Sequence, residues 1–204
     1  MEKSYQEIIQ DLRKKDQVLA KVADAVEVEL CPSPSVDVYQ SLLHSIVSQQ
    51  LSIKVAEIIW QRFLDLFSDL YPSPQAVLNL PIEELRSVGL SMSKANYLRN
   101  VATFAMEEDL SFEAVSTMND HELIQHLVSI KGVGKWTAQM ILMFPLDRHD
   151  VFPVDDLGIQ TKMKHWYGLK SEKKELHKEM DVIASTWKPF RSVASKLLWS
   201  SVTK

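Results

Sequence analysis

Leu127-Val-Ser-Ile-Lys-Gly-Val-Gly-Lys-Trp-Thr-Ala-Gln-Met-Ile-Leu-Met-Phe144 sets two apolar runs on either side of a pair of glycines. Leu123, Ile124, Leu127 and Val128 recur at helical spacing and stop at Lys131-Gly-Val-Gly134; Trp136, Ala138, Met140, Ile141 and Phe144 then begin a second apolar helix. The pattern is two helices joined by a tight glycine turn. Gly132 and Gly134 are expected to supply the φ > 0 conformations of such a turn and, lacking side chains, to let a ligand lie against the backbone. The N–H groups of Val133, Gly134 and Lys135 are expected to point outward at a helix N-terminus, where unpaired donors and the helix dipole favour an anion. Lys135 adds a mobile positive charge, so a phosphate is the natural ligand.

Upstream, Asn119-Asp-His-Glu122 has the form of a capping box and starts the first hairpin helix. Helices are expected over residues 81–88, stopped by Gly89, and 93–106. A further helix runs through Val55, Ile58, Ile59, Phe63 and Leu66, with Ser52 as its N-cap and Pro72 and Pro74 ending the unit. Asp37 opens another through Val38, Leu42, Leu43, Ile46 and Val47. Residues 4–29 read as one or two amphipathic helices, broken by Cys31-Pro-Ser-Pro-Ser35. Downstream, residues 157–167, 172–186 and 189–202 read as three more. Period-2 strand patterns are nearly absent. The expectation is an all-α protein of about ten helices in two lobes with a central helix-hairpin-helix and a cleft between them. One lobe is residues 37–118; the other is residues 1–36 plus 119–204, with the hairpin.

The 204 residues are 46% hydrophobic, enough for a sizeable core. No 18-residue apolar run occurs, and the first residues lack the basic-then-apolar design of a signal peptide, so a cytoplasmic location is expected, or a nuclear one in a eukaryote. A lone cysteine, Cys31, excludes an internal disulfide and cannot by itself hold an iron-sulfur cluster. Net charge is -4, but residues 1–120 hold 10 Lys+Arg against 18 Asp+Glu and residues 121–204 hold 13 against 9. The half with the hairpin is the basic one, and an acidic protein can bind DNA when its charges are sorted by face.

About twenty residues after the glycines comes Asp150-Val-Phe-Pro-Val-Asp-Asp-Leu-Gly-Ile-Gln160. Adjacent carboxylates after a proline can serve as a helix N-cap and a first-turn acid, a role Asp155 fits. Together with the hairpin, however, the segment resembles the helix-hairpin-helix (HhH-GPD) superfamily of base-excision DNA glycosylases and its Pro-x-x-Asp-Leu-Gly signature. The resemblance implies that Asp156, directly before Leu-Gly, is the catalytic carboxylate, with Asp155 as alternate. Breaking a base–sugar bond builds positive charge on the deoxyribose, and a fixed carboxylate near C1′ stabilises that state and can steer a water.

Members that also cut the strand carry a lysine two residues after the second hairpin glycine. Here that position is Trp136, which implies a monofunctional enzyme using water. A tryptophan there resembles the 3-methyladenine glycosylases of the AlkA type, and Trp187-Lys-Pro-Phe-Arg...Trp199 is similar to that branch's Trp-x-Pro-Trp-Arg...Trp pattern. Trp136, Met140 and Trp199 then become the base pocket, since electron-poor methylated purines bind aromatic faces. Trp187 and Phe190 are expected in the core. Met140 stands where the family's bacterial form has a tyrosine, which bears on lesion range.

Ser48-Gln-Gln-Leu-Ser52 resembles the family's wedge loop, with Gln50 entering the hole left by a flipped base. The implied DNA-binding set is Gln50, Lys94, Gly132, Val133, Gly134, Lys135 and Thr137, and a monovalent Na or K ion can sit on the carbonyls of Val128, Ile130 and Val133. No cofactor is required. The expected partner is double-stranded DNA with a damaged base, with no membrane, and a monomer is the simplest form. Glycosylases for uracil, hypoxanthine or oxidised purines, or a non-catalytic DNA-binding module, remain open alternatives.

Overall fold

The computed structural model describes residues 3–26 and 37–201, the side chain of Ile53 apart. Among these residues there are thirteen helices and no strand. Contacts divide the chain into two units, Met1–Ser33 with Asp147–Lys204, and Pro34–Leu146. The hairpin lies in the second unit, whereas the sequence reading grouped it with the N- and C-terminal segments. That unit holds 7 Lys+Arg against 12 Asp+Glu, so the unit that carries the hairpin is itself acidic.

In the first unit, α1 (Tyr5–Lys15) and α2 (Gln17–Asp24) are two helices because Asp16 intervenes with an extended backbone and accepts the Val18 and Leu19 N–H groups on Oδ1 at 2.9 and 3.0 Å. α11 (Leu157–Tyr167), α12 (Lys173–Ser185) and α13 (Arg191–Ser200) complete it. Ile8, Leu12, Leu19, Val22, Ile159, Met163, Leu197 and Leu198 form its core around Trp187. Trp187 is 0% exposed, as expected, and its indole donates to Asp16 Oδ2 at 2.8 Å. Fully burying such a ring stabilises by about 1.5–3 kcal/mol, and only if its N–H finds a partner. Half-buried Phe190 closes the edge, with Lys3 and Lys15 ammonium groups 5.6 and 6.0 Å from its ring centre. The Cys31-Pro-Ser-Pro-Ser35 break falls outside the described residues, as do the outer ends of the helices expected over 4–29 and 189–202.

In the second unit, α3 (Val38–Ser48) is central: Leu42, Leu43, Ile46 and Val47 are fully buried, and α4 (Ile53–Leu64), α7 (Met92–Glu107) and α10 (Lys135–Met143) pack on it. Asp37 caps it through Gln40 N–H at 2.8 Å. α5 (Pro74–Asn79) and α6 (Ile82–Ser87) lie on α7, followed by α8 (Phe112–Ser116) and α9 (Asp120–Val128). Pro74, expected to end a helical unit, instead begins α5 at the first-turn position where a missing N–H costs nothing. α8 escaped the periodicity because five residues carry too little of it. Ser52 stands at the N-cap of α4 without a side-chain bond, whereas the Asn119–Glu122 capping box is complete in both directions.

Candidate functional site

Leu127 anchors α9, and the chain turns through Ile130 N–H to Leu127 O at 3.1 Å and Val133 N–H to Ile130 O at 3.0 Å. Val133 is thus buried with its amide used inside the turn; it does not point outward as the sequence suggested. The two glycines differ as well. Gly132 has φ +109°, and a Cβ there would lie 2.2 Å from Cγ of Tyr97, so both backbone and packing exclude a side chain. Gly134 has an ordinary φ of -93° and caps α10; nothing lies within 4 Å of the place a Cβ would take. Gly132 therefore serves the turn, and Gly134 leaves an open backbone approach. The amides of Gly134 and Lys135 precede the first bond of α10, Ala138 N–H to Gly134 O at 3.0 Å, where a helix has donors without intrahelical acceptors. Lys135 is exposed beside them.

The loop after α3 faces the same turn. Gln49 Nε2 donates to Gly132 O and to Thr137 Oγ1, both at 3.3 Å. Gln50 follows, exposed and at φ +58°, a left-handed conformation uncommon for a side-chain-bearing residue, and Leu51 is 37% exposed. Lys94 Nζ donates to Val47 O at 2.7 Å and Gln49 O at 2.8 Å, and burial lowers its pKa. Two expectations change here. Lys94 is engaged with the end of α3 rather than offered to a phosphate, and Thr137 is buried with its hydroxyl accepting from Gln49. Asn100 Nδ2 holds Lys131 O at 2.9 Å. Gln49, Tyr97 and Asn100 were not singled out from the sequence; the helical spacing of 94, 97 and 100 was the available signal. On α10, half-buried Trp136 and buried Met140 stand one turn apart, as expected for one face.

Among the described residues no group of three or more His, Cys, Asp or Glu side chains could hold a metal. Of the three carbonyls implied for a monovalent cation, that of Ile130 accepts the Val133 N–H and keeps a second lone pair for a ligand.

The acidic segment is set by α13. Arg191 forks onto Asp150, Nε to Oδ1 at 2.7 Å and Nη2 to Oδ2 at 3.0 Å, and Ser192 Oγ accepts Val151 N–H at 2.8 Å. Asp156 then caps α11 through Ile159 N–H to Oδ1 at 2.7 Å, and the indole N–H of Trp199 donates to that same oxygen at 2.9 Å. Gly158 makes room: a Cβ would lie 3.0 Å from Asp156 Oδ1 and 3.2 Å from Trp199 Nε1, which gives the glycine of the Leu-Gly pair a reason. Asp155, by contrast, has a side chain 49% exposed with His177 Nδ1 at 3.7 Å. The N-cap is therefore Asp156 itself rather than Asp155, and the fixed carboxylate is the one the motif register designates. Trp199, expected as a pocket wall, is half-buried and positions that carboxylate through its N–H.

Residues 43–188 match the family described as HhH-GPD superfamily base excision DNA repair protein. The Bacillus subtilis protein YfjP, which carries the name of a DNA-3-methyladenine glycosylase, is 32% identical over 171 residues, 81% of this chain; the chain spans 59% of that relative's length. Among solved structures, the Schizosaccharomyces pombe 3-methyladenine DNA glycosylase in complex with abasic DNA is similar with a TM-score of 0.82 and 27% identity, over 96% of this chain and 94% of that one. A Bacillus halodurans DNA-3-methyladenine glycosidase is similar with a TM-score of 0.78 and 33% identity, over 94% and 87%. With the glycine turn, the capping aspartate and this match across most of its length, the chain belongs to the HhH-GPD superfamily of base excision DNA repair proteins.

Proposed function

We propose that the protein is a monofunctional DNA glycosylase that hydrolyses the N-glycosidic bond of alkylated purines, of the 3-methyladenine and 7-methylguanine type, in double-stranded DNA. The observation that carries this is the Asp156 carboxylate, pinned on one oxygen by the first turn of α11 and by the Trp199 indole. As the C1′–N bond breaks, its electron pair leaves with the base, which departs from a cationic methylated purine as a neutral one. Positive charge moves to the sugar, a fixed anion lowers the energy of that state, and a water adds to C1′ and releases a proton. Trp136 occupies the place of the lysine found in strand-cutting members, so the reaction ends at the abasic site. The names of the similar proteins support the substrate class, and the similar Schizosaccharomyces pombe complex with abasic DNA supports DNA as the partner.

Gly134, Lys135 and the start of α10 take a phosphate, and Gln50 fills the gap left by the flipped base. The carbonyls of Val128, Ile130 and Val133 would hold a monovalent cation, which would supply positive charge toward a phosphate; the chemistry itself needs only water and Asp156. One lesion calls for one wedge and one carboxylate, so a monomer acting in the compartment of the DNA, cytoplasm or nucleus, suffices. Among the described residues no helix is long and apolar enough to cross a membrane.

The deciding experiment is Asp156→Asn with duplexes that each carry one lesion. Single-turnover base release should fall by about 10²- to 10³-fold, the range for removing one aligned electrostatic group, with lesion-DNA binding retained. Full activity in Asp156→Asn and loss in Asp155→Asn would transfer the role. Release of uracil but of no methylated purine by the wild type would overturn the substrate class.

A further inference from the structure

Lys94, Tyr97 and Asn100 follow one another at i, i+3 and i+6 on α7, and each supports a different part of the surface offered to DNA. The last carbonyls of a helix lack intrahelical donors and carry the negative end of its dipole. At the end of α3 the Lys94 ammonium meets that need by binding Val47 O and Gln49 O, immediately before the left-handed Gln50. Tyr97 lies beneath Gly132, and Asn100 holds Lys131 O. Gln49 closes the circuit by reaching from the loop to Gly132 O and Thr137 Oγ1. The loop and the glycine turn are thus carried by one helix and joined by one amide.

We propose that Lys94 is a positioning residue for base flipping: by tying the end of α3 to α7 it holds Gln50 exposed, in its left-handed conformation and in register with the phosphate-binding turn. The assignment rests on the reading of Gln50 as the wedge. Left-handed backbone at a residue other than glycine persists only when its surroundings hold it, and here the two carbonyls just before Gln50 are held by one ammonium. Extruding a base from a duplex means breaking its stacking and pairing, so a slack wedge matters most where stacking must be broken and least where the base is already loose.

The test compares wild type, Lys94→Met, Lys94→Arg and, as a second route into the same network, Gln49→Leu. Three readouts are taken: fluorescence of 2-aminopurine placed beside the lesion, single-turnover release of 7-methylguanine from a full duplex and from a one-nucleotide bulge, and the salt dependence of binding. Lys94→Met should lower release from the duplex about tenfold, as expected when part of the extrusion cost is no longer offset. It should lose the fluorescence rise and leave the bulge unaffected. Arginine should restore most of the duplex rate, and Gln49→Leu should share the duplex-only defect. The salt slope should not change. Equal losses on duplex and bulge, no loss at all, or a slope reduced by about one, as for a lost phosphate contact, would overturn the assignment. If the wild type raises the fluorescence but releases no methylated base, the reaction reading fails and the variants' fluorescence alone judges Lys94. No rise with the wild type would refute the wedge and Lys94's role together.

Discussion

Asp156 and the glycine turn are held by opposite means. The aspartate is fixed through its own side chain, which accepts from Ile159 N–H and the Trp199 indole, while the turn is fixed through its backbone by the side chains of Gln49, Tyr97 and Asn100. The difference lies in where residue identity is required. At the acidic segment, the helix cap and the carboxylate proposed to act on the sugar are one group, so both demands fall on a single side chain. At the turn, the groups offered to a ligand are amides that nearly any residue possesses, and the demand shifts to the neighbours that hold the backbone and to the one glycine that lets Tyr97 approach.

The largest effect separating the two kinds of support is expected at Gly132. Gly132→Ala places a Cβ inside the contact distance of the Tyr97 ring and at φ +109°, and should cost about 2–4 kcal/mol of stability, strain and overpacking together. Gly134→Ala meets nothing in the fold, so its unfolding free energy should stay within about 0.5 kcal/mol of wild type while its affinity for DNA falls. Chemical denaturation beside a binding titration reads both. Adding Tyr97→Ala to Gly132→Ala should recover the packing share and leave the backbone share. Equal destabilisation by the two single glycine variants would mean that both glycines serve the turn alike.

Next in size is Trp199→Phe, which keeps an aromatic face and removes the N–H. A hydrogen bond to a charged group is worth about 1.5–3 kcal/mol, so freeing Asp156 Oδ1 from its indole should slow base release at least about tenfold, even though Ile159 N–H still caps. The measurement is single-turnover release with binding monitored separately. An unchanged rate would mean that the helix terminus alone orients the carboxylate, and the indole would return to the role of pocket wall.

What could be read from the sequence follows the range of the interactions. The capping box at Asn119 and Glu122, the Asp37 cap and the breaks around the hairpin are settled within four residues, and each stands where the residues suggested. The aspartate register came from a local motif and its separation from the hairpin. What stayed hidden depends on partners far along the chain: Lys94 with Val47, Gln49 with Gly132, Trp199 with Asp156. Lys94 in isolation is a cation near a turn, which points to a phosphate; only packing reveals the carbonyls in reach. The same blindness made Gly134 look like Gly132 and hid the Val133 amide inside the turn. Helix α5 was lost for a different reason, because a proline ends one helix and begins another with equal ease.

The smallest effect tests how a phosphate site works in a unit with 7 Lys+Arg against 12 Asp+Glu. Charges beyond a Debye length of about 8 Å at physiological salt are largely screened, so an exposed ammonium beside a phosphate outweighs carboxylates farther off. Lys135 is that ammonium, placed at the first position of α10 next to the open backbone of Gly134. Lys135→Met should weaken binding to damaged and undamaged duplex alike and lower the slope of log affinity against log salt by about one. It should leave release from the bound complex unchanged, since a grip on a phosphate whose charge does not change as the base leaves binds ground and transition states equally. Lys94→Met is the counterpart: an unchanged slope and a slower duplex reaction. If the two lysines exchanged these signatures, the clamp would lie on α7 and the brace on α10, the reverse of the division drawn between backbone-held turn and supporting helix.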